Sequence, residues 1–113
     1  MEIKFADKKL AKVVNNDAKM LKEYGSVRFK LLRRRLSQLQ VANTLEDVRL
    51  LPGNYHELTS TRKGQWACDL DQPYRLVFTP QERPIPVNEN GQYIWIEITS
   101  IEIIEIINYH KEK

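Results

Sequence analysis

Apolar residues recur at helical spacing in the first half of the chain and at strand spacing in the second. After a short apolar lead (Ile3, Phe5), Asp7 is placed to cap a helix carrying Leu10, Val13 and Val14. Asn15, Asn16 and Asp17 interrupt it, Asp17 starts a further turn or two through Met20 and Leu21, and Gly25 after Tyr24 predicts a C-terminal stop. From Ser26, a residue suited to N-capping, Phe29, Leu32, Leu36 and Leu39 fall at i, i+3, i+7 and i+10. That spacing predicts one apolar stripe on a helix of about four turns. Arg28, Lys30, Arg33, Arg34 and Arg35 crowd the rest of its surface, so it reads as a basic amphipathic helix lying on a core. Thr44 with Asp47 predicts a capping pair for one short helical turn ahead of a bend at Pro52-Gly53.

Beyond Gly53 the period shortens to that of a strand. Trp66, Cys68 and Leu70 alternate with Ala67 and Asp69, Asp71-Gln72-Pro73 turns the chain, and Tyr74, Leu76 and Phe78 alternate with Arg75 and Val77. This is the pattern of a hairpin, with Tyr55 to Thr59 as a candidate preceding strand. Residues 80–92 hold three prolines and no period, and predict a loop. The isoleucine-rich end, from Ile94 to Ile107, contains two alternating runs separated by Thr99-Ser100, and the parity changes between them. It predicts two strand segments or one strand with a bulge. Helices first and strands after define an α+β domain, with helices on one face of a mostly antiparallel sheet.

A length of 113 residues bounds the chain to one domain, and such a chain can bury a core without staples. The single cysteine, Cys68, cannot close an internal disulfide, which fits a reducing cytoplasm. No apolar stretch is long enough to span a membrane, and the start lacks the apolar core of a signal peptide. The net charge of +3 is unevenly placed: residues 1–75 hold 15 Lys+Arg and 9 Asp+Glu, and the remainder is acidic. A polyanionic partner and an ordinary solvated helix both account for that asymmetry.

Neither C-x-x-C nor H-x-x-x-H occurs, so the usual zinc patterns are excluded, and no metal or cofactor is expected. There is also no P-loop, no dinucleotide glycine fingerprint and no G-x-S-x-G elbow. What remains is a set of residue types. His56 stands at the first strand edge and His110 just after the last, with Arg62, Lys63, Arg75, Trp66 and Tyr109 near them in sequence. Cations to hold phosphate, an aromatic ring to stack a base, and His or Tyr to move protons suffice for metal-free RNA cleavage, because the ribose 2′-hydroxyl is the nucleophile. Each residue has an ordinary structural alternative. An edge histidine can simply be solvated, Trp66 shares the parity of Cys68 and Leu70 and is expected in the core, and the arginine run fits a solvated helix face. Arg62 and Lys63 fit a polar turn. Composition and spacing leave the function open.

The run Pro52-Gly53-Asn54-Tyr55-His56-Glu57-Leu58, then Arg62-Lys63-Gly64-Gln65-Trp66, then Tyr74-Arg75-Leu76-Val77-Phe78, and finally Asn108-Tyr109-His110 after SIEIIEII, resembles HigB-type toxins of the RelE/ParE superfamily. The resemblance covers essentially the whole chain apart from residues 80–92. It implies the RelE-like fold, N-terminal helices packed on a curved antiparallel sheet. It also implies ribosome-dependent cleavage of messenger RNA, restrained by a cognate helix-turn-helix (HigA-like) antitoxin. By position it makes His56 and His110 the candidate acid and base, in either order, with Tyr109 orienting the phosphate or stacking on a base. Arg62, Lys63 and Arg75 would bind phosphate, Asn108 would line the same site, and Arg33, Arg34 and Arg35 would dock ribosomal RNA. Two positions depart from the pattern: Asn108 stands where an Asp is common, and Thr59 where a Lys is common. Asn108 orients a neighbour but takes no proton. A ParE-like toxin that inhibits a protein such as gyrase, and a catalytically degenerate antitoxin-binding relative, stand as the alternatives.

Overall fold

Two side-chain caps open the helical layer of the computed structural model, which describes residues 1–109. Asp7 accepts a hydrogen bond from the Leu10 N–H at 2.7 Å and starts α1 (Lys8–Val14). Asn16 accepts from the Lys19 N–H at 3.1 Å and starts α2 (Asp17–Val41). Within α2, Gly25 has φ 80° and ψ 166°, so the stop and restart expected at this glycine form a kink between two helical stretches. Beyond the kink Leu32 and Leu39 are fully buried and Phe29 and Leu36 half-buried, as the spacing predicts. The short helix α3 (Leu45–Val48) begins with the Asp47 carboxylate accepting from the Thr44 N–H at 3.2 Å, and it buries Leu45 and Val48.

Arg35 departs from the outward-facing group in which the sequence places it. It lies three residues after Leu32 and four before Leu39, on the buried stripe, and is only 9% exposed. Its Nε donates to the Asp69 carbonyl at 2.8 Å and its Nη1 to the Pro52 carbonyl at 3.3 Å, tying α2 to both ends of the following bend and strand. The guanidinium rests against Gly53, where a Cβ would stand 2.8 Å from Cζ. A side chain so enclosed cannot dock ribosomal RNA. Arg33 and Arg34 remain exposed, and Arg33 pairs with Asp17 across the kink.

The sheet has five strands in the order β1-β5-β4-β3-β2: β1 (Glu2–Phe5), β2 (His56–Glu57), β3 (Trp66–Asp69), β4 (Tyr74–Pro80) and β5 (Ser100–Asn108). All pairings are antiparallel except β1 with β5. The apolar lead is therefore an edge strand, with a partner at the far end of the sequence that no local signal announces. The strand expected over residues 55–59 shrinks to His56–Glu57, because Ser60–Arg62 forms a 3₁₀ turn. The alternating run from Ile94 to Ile98 is not a strand. Trp95–Glu97 is a 3₁₀ turn, and the Ile98 carbonyl accepts from the Leu45 N–H at 3.0 Å, so docking against α3 overrides β propensity. In β5, Phe78 pairs with Ile103 but Val77 with Glu105, leaving Ile104 as a bulge; the parity change falls there and not at Thr99-Ser100.

Met20, Leu32, Leu39, Leu45 and Val48 from the helices pack against Trp66, Cys68, Leu76, Phe78, Ile101 and Ile103 of the sheet. Trp66 is completely buried, between Phe78 and Trp95. The molecule is thus α+β, with the helices on one face of a mostly antiparallel sheet.

Candidate active site

Strand alternation sends every second residue to the face opposite the helices. There His56, Ala67, Val77 and Glu105 form one cross-strand row, and Asp69, Arg75 and Ile107 the next. Ala67, Val77 and Ile107 make a small apolar floor, bordered by Leu58 and Ile104, and no helix contributes to it among the described residues. Charged side chains lie over this floor.

Arg75 sets its guanidinium carbon 3.8 Å from the centroid of the Tyr109 ring. Its Nε is 3.5 Å from Asp69 Oδ1, an ion pair too long for a well-formed hydrogen bond. Arg62 reaches in from the 3₁₀ turn. Its Nη1 donates to Gln65 Oε1 at 2.8 Å, which fixes the side chain, and its Nη2 stands 3.4 Å from Glu105 Oε1. Two guanidinium groups, one aromatic ring and two carboxylates therefore share this face.

His56 belongs to the same face but stands on the edge strand β2. Its Nδ1 is 2.6 Å from the Asn54 carbonyl. A carbonyl only accepts, so Nδ1 carries a proton and Nε2 is the atom left to exchange one. The bend Pro52-Gly53-Asn54 presents that carbonyl by placing Gly53 at φ 128° and Asn54 at φ 56°. Three strand spacings, about 14 Å, separate the backbones of His56 and Glu105 in their common row.

The other expected residues separate. Lys63 lies on the helix side of the sheet edge, with its Nζ 5.9 Å from the Tyr93 ring. There it lines a cleft of about 560 Å³ with Arg49, Glu57 and Tyr93, away from the Arg75–Tyr109 pair. Asn108 pairs with Tyr74, whose ring lies under Arg28, and so has the opposite parity to Ile107 and Arg75 on the open face. His110 lies outside the described residues. Sequence reasoning missed Glu105 and Asp69 as members of the face. The available signal was parity, since Asp69 alternates with Trp66 and Cys68, and Glu105 falls in step with Ile107 once a bulge is counted.

The family described as RelE-like toxin of type II toxin-antitoxin system HigB matches residues 3–95. The chain belongs to the HigB-like toxin family. No curated protein matches it. The family match takes in the helices, β1 from Ile3, β2 to β4, His56, Arg62, Lys63 and Arg75; β5, Glu105 and Tyr109 lie beyond it. Membership in a type II toxin-antitoxin family implies an antitoxin as partner. Among the described residues of this HigB-like toxin, no helix is long and apolar enough to cross a membrane.

Proposed function

We propose that this HigB-like toxin is an endoribonuclease that cuts messenger RNA on the ribosome, in the cytoplasm, under the control of a helix-turn-helix, HigA-like antitoxin. The observation that carries this reading is the Arg75 guanidinium stacked on Tyr109, with Arg62 and Glu105 on the same sheet face, opposite the helices α1 to α3. Planar guanidinium groups match phosphate oxygens in pairs, and an aromatic ring beside them offers a stacking surface for an unpaired base. The 2′-hydroxyl of the substrate is the nucleophile, so the chemistry asks the protein for proton transfer and charge stabilisation, with no metal in the scheme. His110, the residue after Tyr109, is the proposed acid. His56, at the far edge of the face, serves the adjoining nucleotide through its Nε2. Lys63 contacts RNA beyond the β2 edge, and Arg33 and Arg34 meet ribosomal RNA from the helical side.

The test is primer extension on ribosome-bound message after induction. Defined 5′ ends are expected with the native chain, and their loss with His110→Ala. Intact message in a growth-arrested cell would overturn the reading. A second reading, inhibition of a protein target such as gyrase, draws on one observation: each arginine of the face already has a carboxylate beside it, which leaves the surface nearly neutral. A supercoiling assay in which the protein stops gyrase would favour that alternative.

A further inference from the structure

Metal-free cleavage needs a base for the 2′-hydroxyl within hydrogen-bond reach of the phosphate held by the arginines. Among the described residues, His56 is the one histidine on this face, and it stands about 14 Å along the row from Glu105. Arg75 lies two strand spacings and two residues from His56, about 12 Å between backbones, and side chains rise roughly perpendicular to a sheet, so His56 does not share the neighbourhood of Arg75 and Tyr109. Glu105 does. It is 3.4 Å from Arg62 Nη2, and it sits diagonally across from Arg75, the two being partners of Val77 and Ile107 in successive rows. A carboxylate in that place repels a bound phosphate and weakens binding unless it takes part in the chemistry. Asp69, the other carboxylate beside these arginines, is held by Asn54 Nδ2 at 3.3 Å and by Arg75, and its side chain is 27% exposed against 43% for Glu105.

We propose that Glu105 is the general base of the reaction, a role that rests on the nuclease reading above. The carboxylate takes the proton of the ribose 2′-hydroxyl while the 2′ oxygen bonds to phosphorus. The bond from phosphorus to the 5′ oxygen breaks, and that oxygen takes a proton from the general acid of the nuclease reading. The products are a 2′,3′-cyclic phosphate and a 5′-hydroxyl. Arg62 and Arg75 stabilise the additional negative charge on phosphorus in the transition state.

The experiment is single-turnover cleavage of message on purified ribosomes by the native chain, Glu105→Gln and Glu105→Asp, with affinity for catalytically blocked 2′-deoxy message measured in parallel. Glutamine has the same shape, still accepts from Arg62 and removes a negative charge. If Glu105 only holds Arg62, Glu105→Gln keeps its rate and binds message as well or better. As the base, Glu105→Gln loses roughly a hundredfold or more in rate at unchanged or tighter binding, and Glu105→Asp recovers part of the loss. Cleavage by Glu105→Gln at the native rate would overturn the assignment and leave the nuclease reading standing. A native chain that cuts nothing would sink both.

Discussion

At the scale of single residues, three consecutive arginines have different fates. Arg33 and Arg34 face solvent, whereas Arg35 is enclosed and donates to the carbonyls of Asp69 and Pro52. Removing its guanidinium breaks both of these part-buried, charge-assisted hydrogen bonds, each worth about 1.5–3 kcal/mol. Arg35→Ala is therefore expected to lower the denaturant midpoint strongly, while Arg33→Ala and Arg34→Ala stay within about 0.5 kcal/mol of the native stability. Urea titrations of the three variants check this, and a full-strength fold in Arg35→Ala would contradict the tie between α2 and the strands. The same residue-level view separates the two lysine-or-arginine positions of the Arg62-Lys63 turn. Arg62 reaches Glu105 on the open face, and Lys63 points to the Tyr93 ring on the other side of the sheet edge.

At the scale of elements, the helical layer was legible because its signals are local. Asp7, Asn16, Gly25 and the Thr44–Asp47 pair act within one turn of their own position, and each acts where its residue type suggests. The β3–β4 hairpin was legible for the same reason. Apart from the 55–59 strand, cut short by the local turn at Ser60–Arg62, the misses involve distant partners. β1 pairs with a strand at the other end of the chain, Trp95–Glu97 yields to α3, and Arg35 finds its acceptors on another element. The candidate site divides the same way: parity places His56 and Arg75 on one face, but nothing in the sequence brings Tyr109 onto Arg75 or separates Lys63 from them. One element-level prediction follows from the bend before β2. Gly53→Ala forces a side chain into φ 128° and brings its Cβ to 2.8 Å from Arg35 Cζ, whereas Gly25→Ala meets only the unfavourable φ, with no atom within 4 Å. Gly53→Ala is expected to cost about 3 kcal/mol and Gly25→Ala about 1 kcal/mol, as thermal unfolding will register.

At the scale of the whole molecule, the core holds ionisable groups that resist charging. Burial is the main cause that pushes the Cys68 thiol from its ordinary 9.0 up to about 12, and burial likewise raises the Tyr55 hydroxyl. Both groups bind their protons more tightly folded than unfolded, so the stability they contribute is complete below pH 9 for Cys68 and below pH 10 for Tyr55, and is lost as the pH rises above those values. Unfolding free energy measured from pH 8 to 11 is expected to decline, by up to about 1.4 kcal/mol per pH unit for each such group. Cys68→Ala should flatten the slope by one group's share, and an unchanged slope would show that the thiol is not the source. The bulge at Ile104 acts on the same scale. It lets one strand give Ile101 and Ile103 to the core and, after the change of step, Glu105 and Ile107 to the open face. Evolution can therefore vary the side chains of β5 one at a time, but a single inserted or deleted codon between positions 103 and 107 would exchange the two faces downstream, so that segment's length is fixed far more tightly than its composition.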